Sequence, residues 1–259
     1  MMFEIAAIES AAKRNGWETC YPNAFNYFHY IDTETAHNAA FKNAHEYKHI
    51  FKNFDWKPEL TKHIKNGRSL PFGTNAKGFT WEDDTVYDGF FQSEKWFYAR
   101  DFIFHLFEFS DYVTDQISPE FREHDFPGED SCFIHVRRGW DRINMSRVAA
   151  IHPITTIEYL ERAIDMMGEK KYYIFSDDIE WCYDNVPTGT GTIYSTHKDY
   201  VDLYLMSQCR SAIIGPSTFS WWGAWLGNME RVIAPEPWVL DKKIDTSQVI
   251  PETWERVAL

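Results

Sequence analysis

The sequence is short of cysteine, of long apolar runs and of positive charge. Its four cysteines, Cys20, Cys132, Cys182 and Cys209, stand far apart without a Cys-x-x-Cys pair. This pattern disfavours a disulfide framework and indicates a reducing, cytoplasmic compartment. No apolar run reaches the roughly 18 residues of a membrane-spanning helix, so no transmembrane anchor is expected. The formal net charge of −13 disfavours nucleic acid as a partner.

Motifs for common cofactors are missing as well. No Gly-x-Gly-x-x-Gly follows a predicted strand, which sets aside a dehydrogenase with a dinucleotide site. The stretch "TGTGTIYS" lacks the lysine of a phosphate-binding P-loop. His45 and His49 have helical i, i+4 spacing, but no Glu-x-x-His context or cysteine cluster supports zinc. We therefore expect neither a metal nor another cofactor.

The apolar residues that are present follow a regular pattern in the second half of the chain. Short apolar strands are predicted at "CFIHV", "KYYIFS", "GTIYS", "SAIIG" and "RVIAP", and helical segments separate most of them. The clearest helix has a capping box at Thr155 and Glu158 and a buried stripe of Ile157, Leu160, Ile164 and Met167. This alternation predicts an α/β fold with a parallel, doubly wound sheet, which binds ligands at the carboxyl ends of its strands.

A polar stretch with two prolines, "SPEFREHDFPGEDS", precedes these strands. Exposed polar segments of this kind commonly join domains. We therefore predict an N-terminal domain over residues 1–128 and a C-terminal domain over residues 129–259.

The first predicted strand ends in an unusual set of side chains. His135 and Arg137 point to one face of the strand and Arg138 to the other, and Gly139 allows a sharp turn. Arg137 is placed to bind a phosphate or carboxylate beside His135, whereas Arg138 is expected to pair within the fold. The alternative is that both arginines form structural ion pairs, and spacing alone does not decide between the two.

Two further strand ends carry polar residues. Asp177 and Asp178 follow the second strand, where they are read first as a helix cap, and otherwise as a metal-binding pair or as acceptors for a nucleotide. Ser217 and Thr218 begin a tryptophan-rich helix after Gly215-Pro216. A helix amino terminus can hold a phosphate, although an ordinary Ser/Thr cap has the same pattern.

Taken together, these stretches resemble the motifs of the alpha-1,2-fucosyltransferase family, glycosyltransferase family 11. The resemblance rests, in order and spacing, on "FIHVRRG", "YYIFSDDIEWC" and "DYVDLYLMSQCRSAIIGPSTFSWWGAWLG". Upstream, "DGFFQSEKWF" is similar to the family's FQSEKYF segment, and "MFEIAAIESAAKRNG" to its first helix. The closing "VIPETWERV" is similar to the family's usual ending.

The resemblance implies a GT-B-like architecture of two Rossmann-like domains facing across a cleft. It implies inverting transfer of L-fucose from GDP-fucose to the 2-hydroxyl of a terminal galactose, without a metal. The expected partners are GDP-fucose and a galactose-terminated glycan, and the expected location is cytoplasmic, including the surface of a membrane that carries such glycans. The alternative is a non-catalytic relative that binds a GDP-sugar or glycan and keeps the phosphate site.

The resemblance also implies roles for particular residues. Arg137 would hold the diphosphate and stabilise charge on departing GDP. The other implied contacts of the nucleotide are His135, Asp177, Asp178, Ser217, Thr218 and Phe219. Gln92, Lys95 and Asp202 match recurrent family positions and are assigned to the cleft.

The chain departs from the family pattern in two places. The family motif is HxRRGD, but Trp140 stands at the position of its aspartate and Asp141 follows. A carboxylate is the natural base for an acceptor hydroxyl. Three alternatives remain open. Asp141 turns into the site and acts as the catalytic acid-base group, or another acid acts as the base. Otherwise Trp140 alters acceptor chemistry and makes transfer poor. In addition, the family begins with a strand and a GGLGNQ loop, so the N-terminal domain is expected to lack its first strand.

Overall fold

The computed structural model describes residues 1–21, 44–55, 66–119, 121, 126–189 and 191–259. The chain forms two compact units. The N-terminal unit comprises Met1–Ser110 and Lys243–Pro251, and the C-terminal unit comprises Asp111–Lys242 and Glu252–Leu259. The domain boundary between residues 128 and 129 remains a prediction. The two compact units instead divide after Ser110, and the late segment Lys243–Pro251 packs with the first unit.

The N-terminal unit combines short helices with a small parallel sheet. Its elements are α1 (Met2–Asn15), a 3-10 helix (Ala44–His49), β1 (Asn66–Leu70), β2 (Thr85–Gly89), a second 3-10 helix (Glu94–Trp96) and α2 (Arg100–Leu106). β1 pairs with β2 in parallel. The sequence of β1, "NGRSL", lacks the apolar alternation that indicates a strand, so this strand could not be predicted from the pattern. Gly16 closes α1 in the left-handed conformation, as its position after "KRN" predicts.

The C-terminal unit is built on a six-stranded parallel sheet. Its elements are α3 (Asp111–Thr114), β3 (Ser131–Val136), α4 (Trp140–Asn144), α5 (Ser146–Ala149), α6 (Ile157–Met167), β4 (Lys171–Ser176), α7 (Ile179–Asn185), β5 (Ile193–Tyr194), α8 (Asp199–Gln208), β6 (Ser211–Ile213), α9 (Thr218–Gly227), β7 (Arg231–Glu236) and β8 (Glu255–Ala258). The five predicted strands are all present, which confirms the α/β class. β8 was not predicted, because its half-exposed sequence resembles a loop.

The order of the strands locates the expected ligand site. It runs β5-β4-β3-β6-β7-β8, with β3 paired to both β4 and β6. The chain moves outward from β3 to β5 on one side and then from β6 to β8 on the other. This is the doubly wound order of Rossmann-like folds, and its switch point lies between β3 and β6. Ligands in such sheets bind at the carboxyl ends of the strands beside that point.

Helix α6 differs in detail from its prediction. Thr156, not Thr155, is its cap, and the Thr156 hydroxyl accepts a hydrogen bond from the Tyr159 N–H at 3.2 Å. Ile157 is 37% exposed, and the buried face is formed by Tyr159, Leu160, Ala163 and Met167. The shift has a physical reason, since the Thr155 hydroxyl is already bound to the backbone at the end of β3.

The tryptophan-rich helix α9 is buried against α8. A Cβ at Gly223 would approach Met206 Cβ to 2.9 Å, so glycine permits close contact of the two helices. The rings of Trp221 and Trp225 stack with their centroids 6.0 Å apart, and Trp254 lies 5.5 Å from Trp221. α9 therefore anchors the loop that follows β6. Over the described ranges, no helix is both long and apolar enough to cross a membrane.

Candidate functional site

The carboxyl ends of β3 and β6 are joined through backbone and threonine contacts. The Arg137 N–H donates to Thr155 Oγ1 at 3.1 Å, and the Thr155 N–H donates to the Arg137 carbonyl at 3.2 Å. A Cβ at Gly215 would lie 2.8 Å from the His135 carbonyl oxygen and 2.9 Å from Thr155 Oγ1. Only glycine fits between the two strand ends, so the segments carrying Arg137 and Ser217 are held close together.

Arg137 lies between two carboxylates. Its Nη2 is 2.9 Å from both carboxylate oxygens of Asp141, and its Nη1 contacts the carboxylate of Asp177. Asp177 also accepts hydrogen bonds from the N–H groups of Arg138 at 2.9 Å and Gly139 at 3.0 Å. A Cβ at Gly139 would meet the ends of the Asp177 and Arg137 side chains, so a larger residue here would require both side chains to move. Three predicted site residues, Arg137, Asp141 and Asp177, therefore meet.

Arg138 and Asp178 both make contacts within the fold. Arg138 Nη1 donates to the Thr155 carbonyl at 3.2 Å, and its guanidinium carbon lies 4.0 Å from the centre of the Trp181 ring. Arg138 thus pairs within the fold, as its strand face predicts. The Asp178 carboxylate accepts from the Trp181 N–H at 3.4 Å and caps α7. The cap interpretation of the aspartate pair is confirmed for Asp178, whereas Asp177 binds Arg137.

Arg142 is a site residue that the sequence interpretation missed. Its Nη1 donates to the Pro153 carbonyl at 2.7 Å and its Nη2 to the Pro216 carbonyl at 3.1 Å. Arg142 thus connects α4 to the loop after β6. Burial, followed by the nearby charge of Arg137, lowers the pKa of Arg142 to about 10. The available signal was a third arginine within "VRRGWDR", whose direction no spacing rule specifies.

His135 is buried at the end of β3. Its ring centroid lies 5.5 Å from that of Phe219 on α9. Its Nδ1 makes no hydrogen bond within the described part of the chain and is shielded from solvent. Burial, with the charges of Arg137 and Arg142, lowers the pKa of His135 to about 3. An unsatisfied buried nitrogen is costly, so a ligand or ordered water that binds it would be stabilising.

Burial and the arginine charges lower several pKa values at this edge of the sheet, and the charge of Asp141 partly offsets this for Arg142 and His152. The charge of Arg142 also adds to the effect of burial in lowering the pKa of His152. His135, Arg142 and His152 therefore all lie where a further positive charge is disfavoured. Arg137 is flanked by the carboxylates of Asp141 and Asp177, so an anionic ligand would have to compete with them for its guanidinium.

The first residues of α9 border the same edge. Ser217 caps the helix, and its hydroxyl accepts from the Phe219 N–H at 3.3 Å. Ser217, Thr218 and Phe219 are each partly exposed, and they lie at the positive end of a 10-residue helix. The strand-end site is defined here as His135, Arg137, Asp141, Arg142, Asp177 and the segment Ser217, Thr218 and Phe219.

Trp140 and Asp141 point in different directions. Trp140 is 69% exposed at the first position of α4, so its ring is not packed against the tryptophan-rich helix. Asp141 carries its carboxylate onto Arg137. Of these two neighbours, Asp141 contacts Arg137 in the strand-end site, whereas the indole of Trp140 is exposed to solvent.

The three residues assigned to the cleft are divided between the two compact units. Gln92 and Lys95 belong to the N-terminal unit. Asp202 is buried on α8, where it accepts a hydrogen bond from the Ser195 hydroxyl. Ser195 Oγ lies 2.9 Å from His197 Nδ1. Burial raises the pKa of Asp202 well above its ordinary value, and the Ser195 hydrogen bond partly offsets this.

No group of three or more His, Cys, Asp or Glu side chains that could hold a metal ion occurs among the residues that the structure describes. Asp178 is engaged by its cap and Asp177 by Arg137.

A comparison with models of known protein families found one family whose model matches most of the chain. The sequence model described as "Glycosyl transferase family 11" matches residues 75–255, which include every residue of the strand-end site. The chain belongs to glycosyltransferase family 11. The resemblance seen in the sequence motifs is thereby confirmed.

Individual relatives of this family 11 protein match part of its length. It is 35% identical over 144 residues to an alpha-1,2-colitosyltransferase of Escherichia coli, covering 49% of this chain and 47% of the relative. It is 25% identical over 155 residues to galactoside alpha-(1,2)-fucosyltransferase 1 of Bos taurus, covering 48% and 42%. The aligned segments thus span less than half of these relatives. Among solved structures, fucosyltransferase NodZ from Bradyrhizobium aligns with 17% identity and a TM-score of 0.43, covering 62% of this chain and 57% of that one.

Proposed function

We propose that this family 11 protein transfers L-fucose from GDP-fucose to the 2-hydroxyl of a terminal galactose, with inversion and without a metal. The observation that carries the proposal is the arrangement at the switch point of the sheet, where Arg137 and Arg142 lie beside the unsatisfied Nδ1 of His135. A nucleoside diphosphate is the anion that a doubly wound sheet binds at this place. Family membership supports a nucleotide sugar as its source.

Different residues of the strand-end site bind different parts of the donor. Arg137 binds the diphosphate through its guanidinium fork, and the start of α9 at Ser217 supplies the positive end of a helix dipole. His135, Asp177 and Phe219 border the nucleotide. As the bond between fucose and phosphate breaks, negative charge grows on the leaving GDP and Arg137 stabilises it.

Asp141 acts as the general base. The 2-hydroxyl oxygen of galactose attacks the anomeric carbon of fucose from the face opposite to GDP, and its proton passes to the Asp141 carboxylate. GDP departs with the electron pair of the broken bond. Asp141 is bound to Arg137 Nη2, so an arriving diphosphate competes with Asp141 for that group and frees the carboxylate to accept a proton.

The proposal is tested by incubation of the protein with GDP-fucose and a panel of galactosides. The expected product is a galactoside carrying one fucose on its 2-hydroxyl, identified by mass spectrometry and NMR, together with free GDP. Transfer is expected to persist in EDTA. A requirement for manganese would contradict the metal-free mechanism, and hydrolysis or no reaction with every galactoside would contradict the function.

A second candidate is colitosyl transfer. It is favoured by the 35% identity to an alpha-1,2-colitosyltransferase, which exceeds the 25% identity to the galactoside fucosyltransferase. Competition between the GDP-linked forms of the two sugars for one acceptor decides between them. A preference for the colitosyl donor of more than tenfold in kcat/KM would replace fucose by colitose in the proposal.

A non-catalytic role as a binding protein is the remaining alternative. It is favoured by Trp140, which stands where the family motif has its acid. Such a protein would bind GDP with the affinity expected of the strand-end site and would transfer neither sugar to any acceptor. Calorimetry with GDP, performed beside the transfer assay, separates this outcome from a site that binds no nucleotide.

A further inference from the structure

The N-terminal unit contains a cavity whose occupant is not accounted for by the strand-end site. The space bounded by its lining residues, part of which is open solvent, is about 380 Å³. The lining residues belong to one compact unit and come from three stretches of chain: Leu70, Pro71, Phe72, Gly73 and Thr74; Phe91, Gln92, Ser93 and Trp96; and Asp245, Gln248 and Val249.

One wall of the cavity is built at a strained turn. Phe91 has a φ of 47°, which is rare for a bulky residue. The Ser93 N–H donates to the Phe91 carbonyl at 2.7 Å, so the chain turns tightly at Gln92. The Phe91 ring is buried at 5.2 Å from that of Trp96. Strained backbone persists where surrounding packing enforces it, and it occurs often at binding sites.

A glycine allows two of the lining segments to contact each other. Gly73 has a φ of +86°, and a Cβ at this position would lie 2.7 Å from the Asp245 carbonyl oxygen. The loop at 71–74 and the late segment at 245–249 therefore contact each other through backbone. Gln248 Oε1 strengthens this closure by accepting from the Ala76 N–H at 3.3 Å.

The polar groups of the cavity select against anions. Asp245 accepts from the Ser247 N–H at 2.9 Å, and hydrogen bonds from Ser247 lower the pKa of Asp245, so this carboxylate is ionised. The lining residues include no lysine or arginine. Within the described ranges, Nε2 of Gln248 makes no hydrogen bond and is available as a donor. A nucleotide phosphate would be repelled here, whereas a neutral ligand with hydroxyl groups could bind both acceptor and donor.

We propose that this cavity binds a neutral hexopyranose ring of the acceptor glycan. Of the three aromatic lining residues, Phe91 and Trp96 are buried, and the half-buried Phe72 offers apolar ring surface for the C–H face of a sugar. Asp245 and Gln248 provide partners for its hydroxyls. That this sugar belongs to the acceptor rests on the proposed function, whereas the binding of a neutral sugar rests on the cavity itself.

A pair of phenylalanines offers a matched test. The rings of Phe72 and Phe90 lie 5.0 Å apart, but only Phe72 lines the cavity. Phe72→Ala and Phe90→Ala both remove this ring contact, whereas only the first removes cavity wall. Gln248→Ala removes the available amide donor from the other side. Circular dichroism and thermal unfolding verify that each variant is folded.

The probe is methyl β-D-galactopyranoside, titrated by saturation-transfer NMR without any donor. We expect affinity to fall about 10-fold in Phe72→Ala and roughly 2- to 13-fold in Gln248→Ala, which correspond to one aromatic contact and one neutral hydrogen bond. Phe90→Ala should bind within about twofold of the wild type, and all four proteins should bind GDP alike. The proposal is overturned if the wild type binds no galactoside, if Phe72→Ala and Gln248→Ala bind it as the wild type does, or if these variants lose GDP instead.

Failure of this proposal and failure of the proposed function give different results. Galactoside binding that depends on Phe72 and Gln248, in a protein that transfers no sugar, retains the cavity as a sugar site and contradicts the function. Transfer with an unchanged KM for the galactoside in both variants retains the function and places acceptor binding elsewhere.

Discussion

The strand-end site and the cavity of the N-terminal unit differ most in charge. The first brings together Arg137 and Arg142, and burial with these charges lowers the pKa of His135 and of His152. The second has an ionised Asp245 and no basic residue among its lining side chains. A transferase must hold a dianionic donor and a neutral acceptor at once. Separate sites with opposite electrostatic preferences would prevent each ligand from occupying the place of the other.

The largest expected effect concerns the general base. Asp141→Asn should lower the rate of transfer roughly 10²- to 10⁴-fold, because an amide cannot accept the proton of the acceptor hydroxyl. GDP affinity should stay the same or rise, since Asp141 no longer competes for Arg137. Initial rates of GDP release with saturating donor and acceptor measure the effect. The control is Asp165→Asn, which changes an exposed aspartate of α6. A loss smaller than tenfold would assign the base to another acid.

The second prediction separates the two sites directly. Arg137→Ala should weaken GDP binding by about 1.5–3 kcal/mol, the range for a hydrogen bond to a charged group. It should leave binding of methyl β-D-galactopyranoside unchanged. Calorimetry of each ligand with the wild type and the variant gives both values. The control is Arg210→Ala, since Arg210 precedes β6 at the opposite edge of the sheet. Equal GDP affinities in wild type and Arg137→Ala would remove Arg137 from the nucleotide site.

The two sites also differ in how far the sequence could predict them. The strand-end site follows from sequence patterns: periodic apolar strands, a glycine after β3 and after β6, and polar or charged residues where a strand stops. Arg137, Asp141 and Asp177 were expected at the site, and the structure brings them together. Arg142 was missed because its direction depends on the carbonyls of Pro153 and Pro216, which lie 11 and 74 residues away in sequence.

The cavity had no such signal. Its walls come from stretches at 70–74, 91–96 and 245–249. The last stretch belongs to the N-terminal unit because the chain comes back to that unit after forming most of the C-terminal one. "NGRSLPFGTNAKGF" has the composition of a loop, and nothing in it predicts the backbone contact of Gly73 with Asp245. Thr155 illustrates the same limit on a smaller scale. Its capping-box spacing was present, but the backbone at the end of β3 binds its hydroxyl and Thr156 caps α6 instead.

The third prediction uses the electrostatics of the strand-end site. The pKa of His135 is about 3 in the folded state, below the ordinary value of 6.5, so the unfolded chain takes up a proton first as pH falls. Stability from the neutral histidine is therefore complete above about pH 6.5 and is lost progressively toward pH 3. We expect His135 to account for about 2 kcal/mol of lost stability between pH 7.5 and pH 5.

Urea unfolding at several pH values measures this loss. His135→Asn should reduce the pH dependence over this interval, whatever its effect on absolute stability. His105→Gln, a change at an exposed histidine, should leave the dependence as it is in the wild type. An identical pH dependence in His135→Asn and wild type would show that His135 titrates in the folded protein as it does in the unfolded chain.

The smallest expected effect belongs to Trp140. Its ring is 69% exposed, so Trp140→Ala should change the free energy of unfolding by no more than about 0.5 kcal/mol, whereas a packed tryptophan would cost about 3–5 kcal/mol. Because Asp141 already presents a carboxylate to Arg137, Trp140→Asp should change the transfer rate by less than about tenfold.

The double variant Trp140→Asp with Asp141→Asn tests whether a carboxylate at position 140 can replace the one at position 141 as the general base. If an acid can serve from either position, the double variant should recover at least about tenfold of the activity lost in Asp141→Asn. If it recovers nothing, the base must come from position 141, because that side chain is the one turned toward Arg137. A gain of about 100-fold or more in Trp140→Asp alone would contradict both expectations. It would show that the wild-type chain lacks an effective base and that its tryptophan makes it a poor transferase.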